Sequence, residues 1–149
     1  MSIKTASQIC SLIVPVAGLF ASQSALASPP EPIFDRWLTD DRAAIVVVKP
    51  CGEKLCGWVE KVLDPKAPTN DINNPKMERR SKPLVGTPIF WSFVRSGGGW
   101  KDGRAYDPKT GNIYRSKLKV LESGELEVTG CVLFLCQSRH WTPAPQAKN

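Results

Sequence analysis

The sequence is poor in the residues and motifs on which many enzymes and nucleotide-binding proteins depend. His140 is the only histidine, so a Ser-His-Asp or Cys-His catalytic site would have to be built around it. It precedes Trp141 in a predicted strand, which favours a structural role. No Gly-x-Gly-x-x-Gly or P-loop motif occurs, and Gly97-Gly98-Gly99 is typical of a flexible turn. We therefore predict no catalytic residue and no cofactor.

Amphipathic helices are also missing, because no stretch of useful length repeats its apolar residues at helical spacing. Alternation typical of strands runs instead from Ile113 to Leu121 and resumes at Glu125. Glu122-Ser123-Gly124 between them fits a three-residue hairpin loop with glycine in the left-handed conformation. This register places Lys119 opposite Glu127 on the outer face. The expected inward residues are Tyr114, Ser116, Leu118, Val120, Leu126, Val128 and Gly130, and the expected outward ones include Arg115, Lys117 and Thr129.

The same pattern predicts eight strands joined by turns rich in Asp, Pro and Gly. Eight short strands in this arrangement favour an antiparallel up-and-down meander closed into a β-barrel, since closure removes exposed edges. A β-sandwich is the main alternative. We place the strands near Phe34–Thr39, Ala43–Lys49, Leu55–Leu63, Ile89–Val94, Trp100–Tyr106, Ile113–Leu121, Glu125–Gly130 and Leu135–Thr142.

One long stretch, from Asp64 to Pro88, breaks this rhythm. It carries five prolines, so it is predicted to be neither a helix nor a central strand. A loop of this length in a small domain is typically a lid or a binding loop. It gathers the polar residues of a candidate ligand site: Asp71, Asn73, Asn74, Arg79, Arg80 and Lys82.

The first 27 residues differ from the rest of the chain and predict export. Lys4 is the only charge before Glu31, Ile9 to Phe20 is almost wholly apolar, and Ala25-Leu26-Ala27 has the small-x-small form that signal peptidases accept. That apolar run is too short to span a bilayer. We predict a signal peptide at residues 1–27, a single mature domain at residues 28–149 and a periplasmic or secreted location.

Four of the five cysteines remain after cleavage, and an even number in an exported chain indicates disulfides. Cys51 and Cys56 bracket four residues, as do Cys131 and Cys136. Two cysteines that flank a hairpin loop fall opposite each other, so we predict one local disulfide in each pair. The alternative is a zinc site, although four intervening residues are wide for a zinc knuckle.

Other metal and macromolecular partners are less favoured. Asp71, Asn73 and Asn74 could offer oxygen ligands to calcium, but the EF-hand spacing is missing, and we predict no metal site. Apart from Lys4 the chain has 19 Lys and Arg against 14 Asp and Glu, which suits an anionic membrane surface or polysaccharide. Outside the cytoplasm, a nucleic-acid partner is not expected.

Five segments in order resemble one family of exported bacterial proteins, the DUF2147 domain family. They are Leu55–Val59, Asp71–Pro75, Lys82–Gly86, Tyr106–Tyr114 and His140–Thr142. The resemblance implies a lipocalin-like β-barrel with no established biochemical activity. Two departures concern the base of the barrel. Lipocalin-like barrels often open with Gly-x-Trp, whereas Asp35-Arg36-Trp37 keeps the tryptophan but not the glycine. The family's last strand commonly ends Trp-Thr-Arg, whereas here Trp141 and Thr142 are followed by Pro143. A cation stacked on Trp37 would therefore be Arg139 or Arg36.

Two functional classes are favoured over an enzyme. In the first, the barrel binds a small amphiphilic or apolar ligand, whose body contacts Trp58, Trp91 or Trp100. Arg79, Arg80 and Lys82 would then favour an anionic head group. In the second, the barrel is filled by side chains and the basic loop meets an acidic envelope surface or a protein partner.

Cleavage after Ala27 gives a direct test of export. The mature chain should begin at Ser28, because residues 25–27 match the specificity of signal peptidases. The intact mass of protein purified from a periplasmic or culture fraction measures this, and finding only the uncleaved chain in the cytosol would contradict it.

Overall fold

Residues 31–146, the part of the chain described by a computed structural model, form eight antiparallel strands that close into a barrel. The predicted signal peptide and its cleavage site lie outside the described residues. Each strand pairs with the next, and the first also pairs with the last. The strands are β1 (Arg36–Leu38), β2 (Ala44–Cys51), β3 (Lys54–Val62), β4 (Pro88–Ser96), β5 (Gly99–Asp107), β6 (Asn112–Val120), β7 (Leu126–Val132) and β8 (Leu135–Pro143). The predicted up-and-down barrel is confirmed.

The predicted strand ends lie within two residues of the observed ones. β1 begins late because the chain first makes a turn, in which the N–H of Phe34 donates to the carbonyl of Glu31. The long stretch between β3 and β4 contains one 3-10 helix, Met77–Arg79. No helix within the described part of the chain is long and apolar enough to cross a membrane.

The β6–β7 hairpin has the predicted register. Lys119 lies opposite Glu127, and Gly124 in the connecting loop adopts a φ of 83°, in the left-handed region that favours glycine. Thr129 points outward, as predicted. It lies between Lys117 and Ser138 on the outer face, but it is buried and its hydroxyl is hydrogen-bonded to that of Ser138 at 2.7 Å.

Each predicted cysteine pair forms a disulfide. Cys51 is bonded to Cys56 at the β2–β3 turn, and Cys131 is bonded to Cys136 at the β7–β8 turn. Cys131 and Cys136 are directly opposite each other, whereas Cys51 lies opposite Lys54, so its disulfide runs diagonally across the strands. All four sulfur atoms are thereby used in disulfides, and the zinc alternative is excluded.

Large side chains fill one end of the barrel, called here the closed end. The inward positions near the β2–β3, β4–β5 and β6–β7 turns carry Leu55, Phe93, Trp100, Leu118 and Leu126, all of them buried. The turn before β1 covers this end, where the rings of Phe34 and Trp100 lie 5.8 Å apart. Burial of these apolar side chains stabilises the fold by about 25 cal/mol for each Å² of apolar surface removed from water.

Neither predicted cation stacks on Trp37. Its indole N–H donates instead to the carbonyl of Ile33 at 3.0 Å. Arg36 forms an ion pair with Glu60 on the outer face, and Arg139 lies at the opposite end of the barrel. The aromatic ring that a cation covers at the closed end is Trp100, with the guanidinium carbon of Arg95 at 5.9 Å.

Gly103 gives the Phe93 ring its place in this core. A Cβ atom added at Gly103 would lie 2.2 Å from the ring, so we expect Gly103→Ala to lower the free energy of unfolding by about 1–3 kcal/mol through overpacking. Urea denaturation measures the change. Gly98→Ala is the matched control, because a Cβ there meets no atom within 4 Å. Equal effects of the two substitutions would contradict this account.

Candidate functional site

The other half of the barrel is hollow. A cavity of about 890 Å³ opens at the end formed by the β1–β2, β3–β4, β5–β6 and β7–β8 connections, called here the open end. Its floor is apolar and includes Val46, Val59, Phe90 and Trp141. The rings of Phe90 and Trp141 stack with their centroids 5.3 Å apart, and they separate the cavity from the packed core below.

Small side chains leave this space. Along β5 the inward residue changes from Trp100 near the closed end to Ala105 in the cavity wall, and along β7 the inward residues change from Leu126 to Val128 and Gly130. An eight-stranded barrel is just wide enough for large inward side chains to fill it. Where the inward residues are small, the same width encloses a cavity.

Polar groups line the wall above the apolar floor. Gly130 lies opposite both Ser116 and Gln137, and Val128 lies opposite Arg139. Because opposed residues share a face of the sheet, Ser116, Gln137 and Arg139 belong to the inward set, and all three line the cavity. The cavity thus becomes more polar from floor to mouth.

Ion pairs balance the charges at the cavity mouth. Arg139 Nη1 lies 3.0 Å from Asp40 Oδ2, and Lys109 Nζ is paired with Asp41. Burial by itself would raise the pKa of Asp41, but hydrogen bonds from Lys109, the Ala43 N–H and the Thr39 hydroxyl outweigh it and lower the pKa to about 2. Asp41 therefore stays ionised at neutral pH and holds the β1–β2 turn in place.

A buried carboxylate attaches the long β3–β4 loop to the barrel. Asp71 is 2% exposed, and its two oxygens accept hydrogen bonds from the Tyr106 hydroxyl and from Asn74 Nδ2, each at 2.6 Å. Asn73 Nδ2 donates to the carbonyls of Pro108 and Lys109. These contacts fix the loop beside the β5–β6 turn, so all three candidate calcium ligands serve as structural polar groups. In the described part of the chain no His, Cys, Asp and Glu side chains group in a way that could hold a metal ion.

The predicted aromatic contacts do not lie in this cavity. Trp100 belongs to the closed-end core, Trp58 lies opposite Val47, and Trp91 faces a separate pocket on the outside of the barrel. Phe90, Tyr114 and Trp141 line the cavity instead. Their inward orientation depends on strand register, and bulges in β4 and β5 shift that register.

The basic residues of the loop also lie away from the cavity. Arg79 lines the outer pocket of about 360 Å³ with Trp91, Arg80 donates from Nε to the carbonyl of Asn74, and Lys82 is exposed. Of the six predicted polar residues in this loop, Asn73 is the one at the cavity mouth. The sequence analysis named Arg139 as a cation for Trp37 and missed it as a residue of the cavity wall. Its inward position could have been found from its place two residues before Trp141.

Three other titratable groups have structural partners. Asp64 Oδ1 accepts from the N–H of Lys66, and Asp107 accepts from the N–H of Lys109 and the hydroxyl of Thr110. Both are therefore the turn-forming residues that their proline-bearing sequences predict. His140 lies on the outer face, with Nε2 3.7 Å from Glu127 Oε2.

A closed eight-stranded barrel with one packed end and one hollow end defines the lipocalin-like class of small barrels. A solved structure described as "Protein HP1028 from the human pathogen Helicobacter pylori belongs to the lipocalin family" is similar to this chain with a TM-score of 0.68. The identity is 17%, over 76% of this chain and 84% of that chain. At this identity the likeness shows the fold.

The family is shown by sequence. A family model described as "Uncharacterized protein conserved in bacteria (DUF2147)" matches residues 35–143, and the chain belongs to this family. Comparison with curated proteins gave no match.

The hydrogen bond between Tyr106 and Asp71 predicts a pH-dependent stability. Tyr106→Phe should lower the free energy of unfolding by about 1–3 kcal/mol at neutral pH, since it removes a partner of a buried carboxylate. Burial and the adjacent Asp71 raise the pKa of Tyr106 above its ordinary value near 10. The contribution is therefore complete below a pH of about 10 and is lost as the pH rises toward the folded-state pKa.

Urea denaturation of wild type and Tyr106→Phe across this pH range measures the effect. The difference between the two proteins should shrink at alkaline pH. Tyr114→Phe changes the only other tyrosine and serves as the control. A constant difference at all pH values would contradict the assignment.

Proposed function

We propose that this protein binds a small apolar or amphiphilic ligand in the cavity at the open end of the barrel. The observation that carries the proposal is the hollow half itself, with an apolar floor above a packed core. Its volume of about 890 Å³ is within the range of about 300–1,000 Å³ typical of small-molecule sites. The filled barrel of the alternative hypothesis fits the closed end only.

The polarity of the wall indicates how a ligand would lie. An apolar body would contact Phe90 and Trp141 on the floor, and a polar head would reach Ser116, Gln137 or Arg139. Arg139 is already paired with Asp40, so an anionic head would have to share or replace that partner. Arg79 and Arg80, which sequence reasoning assigned to the head group, are not part of this arrangement.

We propose a binding role and not catalysis. Asp40 and Asp41 at the cavity mouth are held in ion pairs. Asp64 and Asp107 accept hydrogen bonds within their own turns. The lipocalin-like fold supports the proposal, since barrels of eight strands can hold one small ligand. Two disulfides and membership of a bacterial family support a location in the periplasm or outside the cell.

Blocking the cavity tests the proposal. Neutral N-phenylnaphthylamine and anionic anilinonaphthalene sulfonate, two fluorescent probes of similar size, should bind the wild-type chain and quench the emission of Trp141. Gln137→Phe should weaken binding of both at least about tenfold, because the ring occupies space above the floor. Arg139→Gln should weaken only the anionic probe, and that probe should bind less tightly as salt is added.

Matched controls separate the cavity from the rest of the surface. Lys101→Phe adds the same ring at an exposed position near the closed end and should leave binding unchanged. Trp141→Phe should remove most of the quenching, whereas Trp100→Phe should retain it. Equal affinity of wild type and Gln137→Phe would refute ligand binding in this cavity.

A further inference from the structure

The tip of the β7–β8 hairpin is an exposed apolar projection. Leu133 and Phe134 form its two-residue turn and are 90% and 86% exposed, and the flanking Val132 and Leu135 are exposed as well. These four residues, called here the apolar tip, contain no charged or polar side chain. Side chains this exposed contribute almost nothing to the hydrophobic core.

Backbone geometry also disfavours these residues in this turn. Leu133 has a φ of 54°, in the left-handed region that is strained for most L-residues. Two-residue hairpin turns with positive φ favour Asn, Asp and Gly. The tip therefore carries two large apolar side chains where folding gains nothing from them, which indicates a contact outside the domain.

The hairpin holds its tip at a defined distance from a group of cations. The disulfide between Cys131 and Cys136 joins its two strands just below the tip. Arg115 lies opposite Cys131, and Lys117, the next outward residue of β6, lies opposite Thr129. Both cations are exposed. With a rise of about 3.3 Å per residue, the turn extends about 7 Å beyond the level of Arg115.

We propose that the apolar tip docks this protein onto an anionic lipid surface. Leu133 and Phe134 enter the boundary between head groups and acyl chains, and Arg115 and Lys117 contact the lipid phosphates. The depth of about 7 Å agrees with the 5–10 Å to which interfacial elements bury their apolar side chains. In a bilayer the apolar interior lies behind a layer of anionic groups. The apolar tip with Arg115 two residues behind its turn has the matching order of apolar and charged groups.

The rest of the open end limits the contact to the hairpin side. Asp40 and Asp41 are paired with cations, but Asp64 and Asp107 also belong to the cavity mouth and would be repelled by an anionic surface. Val132 and Leu135 line the cavity as well as the tip. Docking therefore places an apolar edge of the cavity mouth against the lipid, whether or not the cavity holds a ligand.

Vesicle binding of the mature chain tests the proposal. Wild type should sediment with phosphatidylcholine vesicles that contain phosphatidylglycerol and much less with phosphatidylcholine alone. Leu133→Gly combined with Phe134→Asn should weaken binding about tenfold or more, because the buried apolar surface is lost. Of the two turn residues only Leu133 has a positive φ, and glycine at the first position suits such a turn. The variant should therefore be as stable as wild type in urea, and the loss cannot be attributed to unfolding.

Controls separate apolar insertion from charge. Met77→Asn removes another highly exposed apolar side chain, in the long loop, and should bind as wild type does. Arg115→Gln with Lys117→Gln should weaken binding and reduce its salt dependence, whereas Lys49→Gln with Lys54→Gln, near the closed end, should not. Phe134→Trp should give blue-shifted emission on vesicles, and brominated lipid should quench it.

The outcomes distinguish this proposal from the others. Gln137→Phe, which blocks the cavity, should still bind vesicles, so docking and ligand binding can fail separately. The proposal is wrong if wild type binds neither kind of vesicle, or if the variant with Leu133→Gly and Phe134→Asn binds as wild type does. Self-association in sedimentation velocity that this variant abolishes, without vesicle binding, would assign the tip to a second copy of the chain instead.

Discussion

Closure of the sheet sets the width of this barrel, and that width makes the size of each inward side chain decisive. Eight strands enclose a space that large residues fill and small residues leave open. Phe93 and Leu118 fill it near one end, whereas Ala105 and Gly130 leave it open near the other. The packed half buries large apolar side chains, and hydrophobic stabilisation scales with the apolar area buried.

One buried contact determines where the long β3–β4 loop lies on the barrel. Asp71 receives two hydrogen bonds in a buried position, and a carboxylate buried without such partners would cost several kcal/mol. This requirement ties the loop to Tyr106. Arg79 is then left on the outer surface beside Trp91, and the wall of the cavity receives its cation from β8 instead.

The cavity and the apolar tip share residues but depend on different physics. The cavity exists because inward side chains are small, and its floor is apolar because Phe90 and Trp141 stack across it. The tip is apolar at positions where neither core packing nor turn geometry favours an apolar side chain. Val132 and Leu135 contribute to both, so one edge of the cavity mouth is apolar.

The sequence by itself determined the strands and the two disulfides, because these depend on local signals. The barrel was favoured over a sandwich by the number of strands and by the family resemblance. Alternation with a period of two identifies inward positions along one strand, and equal spacing identifies each cysteine pair. Within the hairpin, even the cross-strand contact between Lys119 and Glu127 followed from the loop length. Such features require no knowledge of residues far away in the chain.

Only the tertiary structure decided which residues line the cavity. Trp100 and Trp141 look equivalent in sequence, yet one packs at the closed end and the other lines the cavity, because their levels in the barrel depend on the register of all eight strands. Bulges in β4 and β5 alter that register locally, and a shift of one residue turns a side chain from one face to the other. The predicted disulfide register already places Arg139 opposite Val128. Its distance from Trp37 depends instead on how β8 closes against β1, where Trp37 lies opposite Pro143, a pairing between residues far apart in the chain.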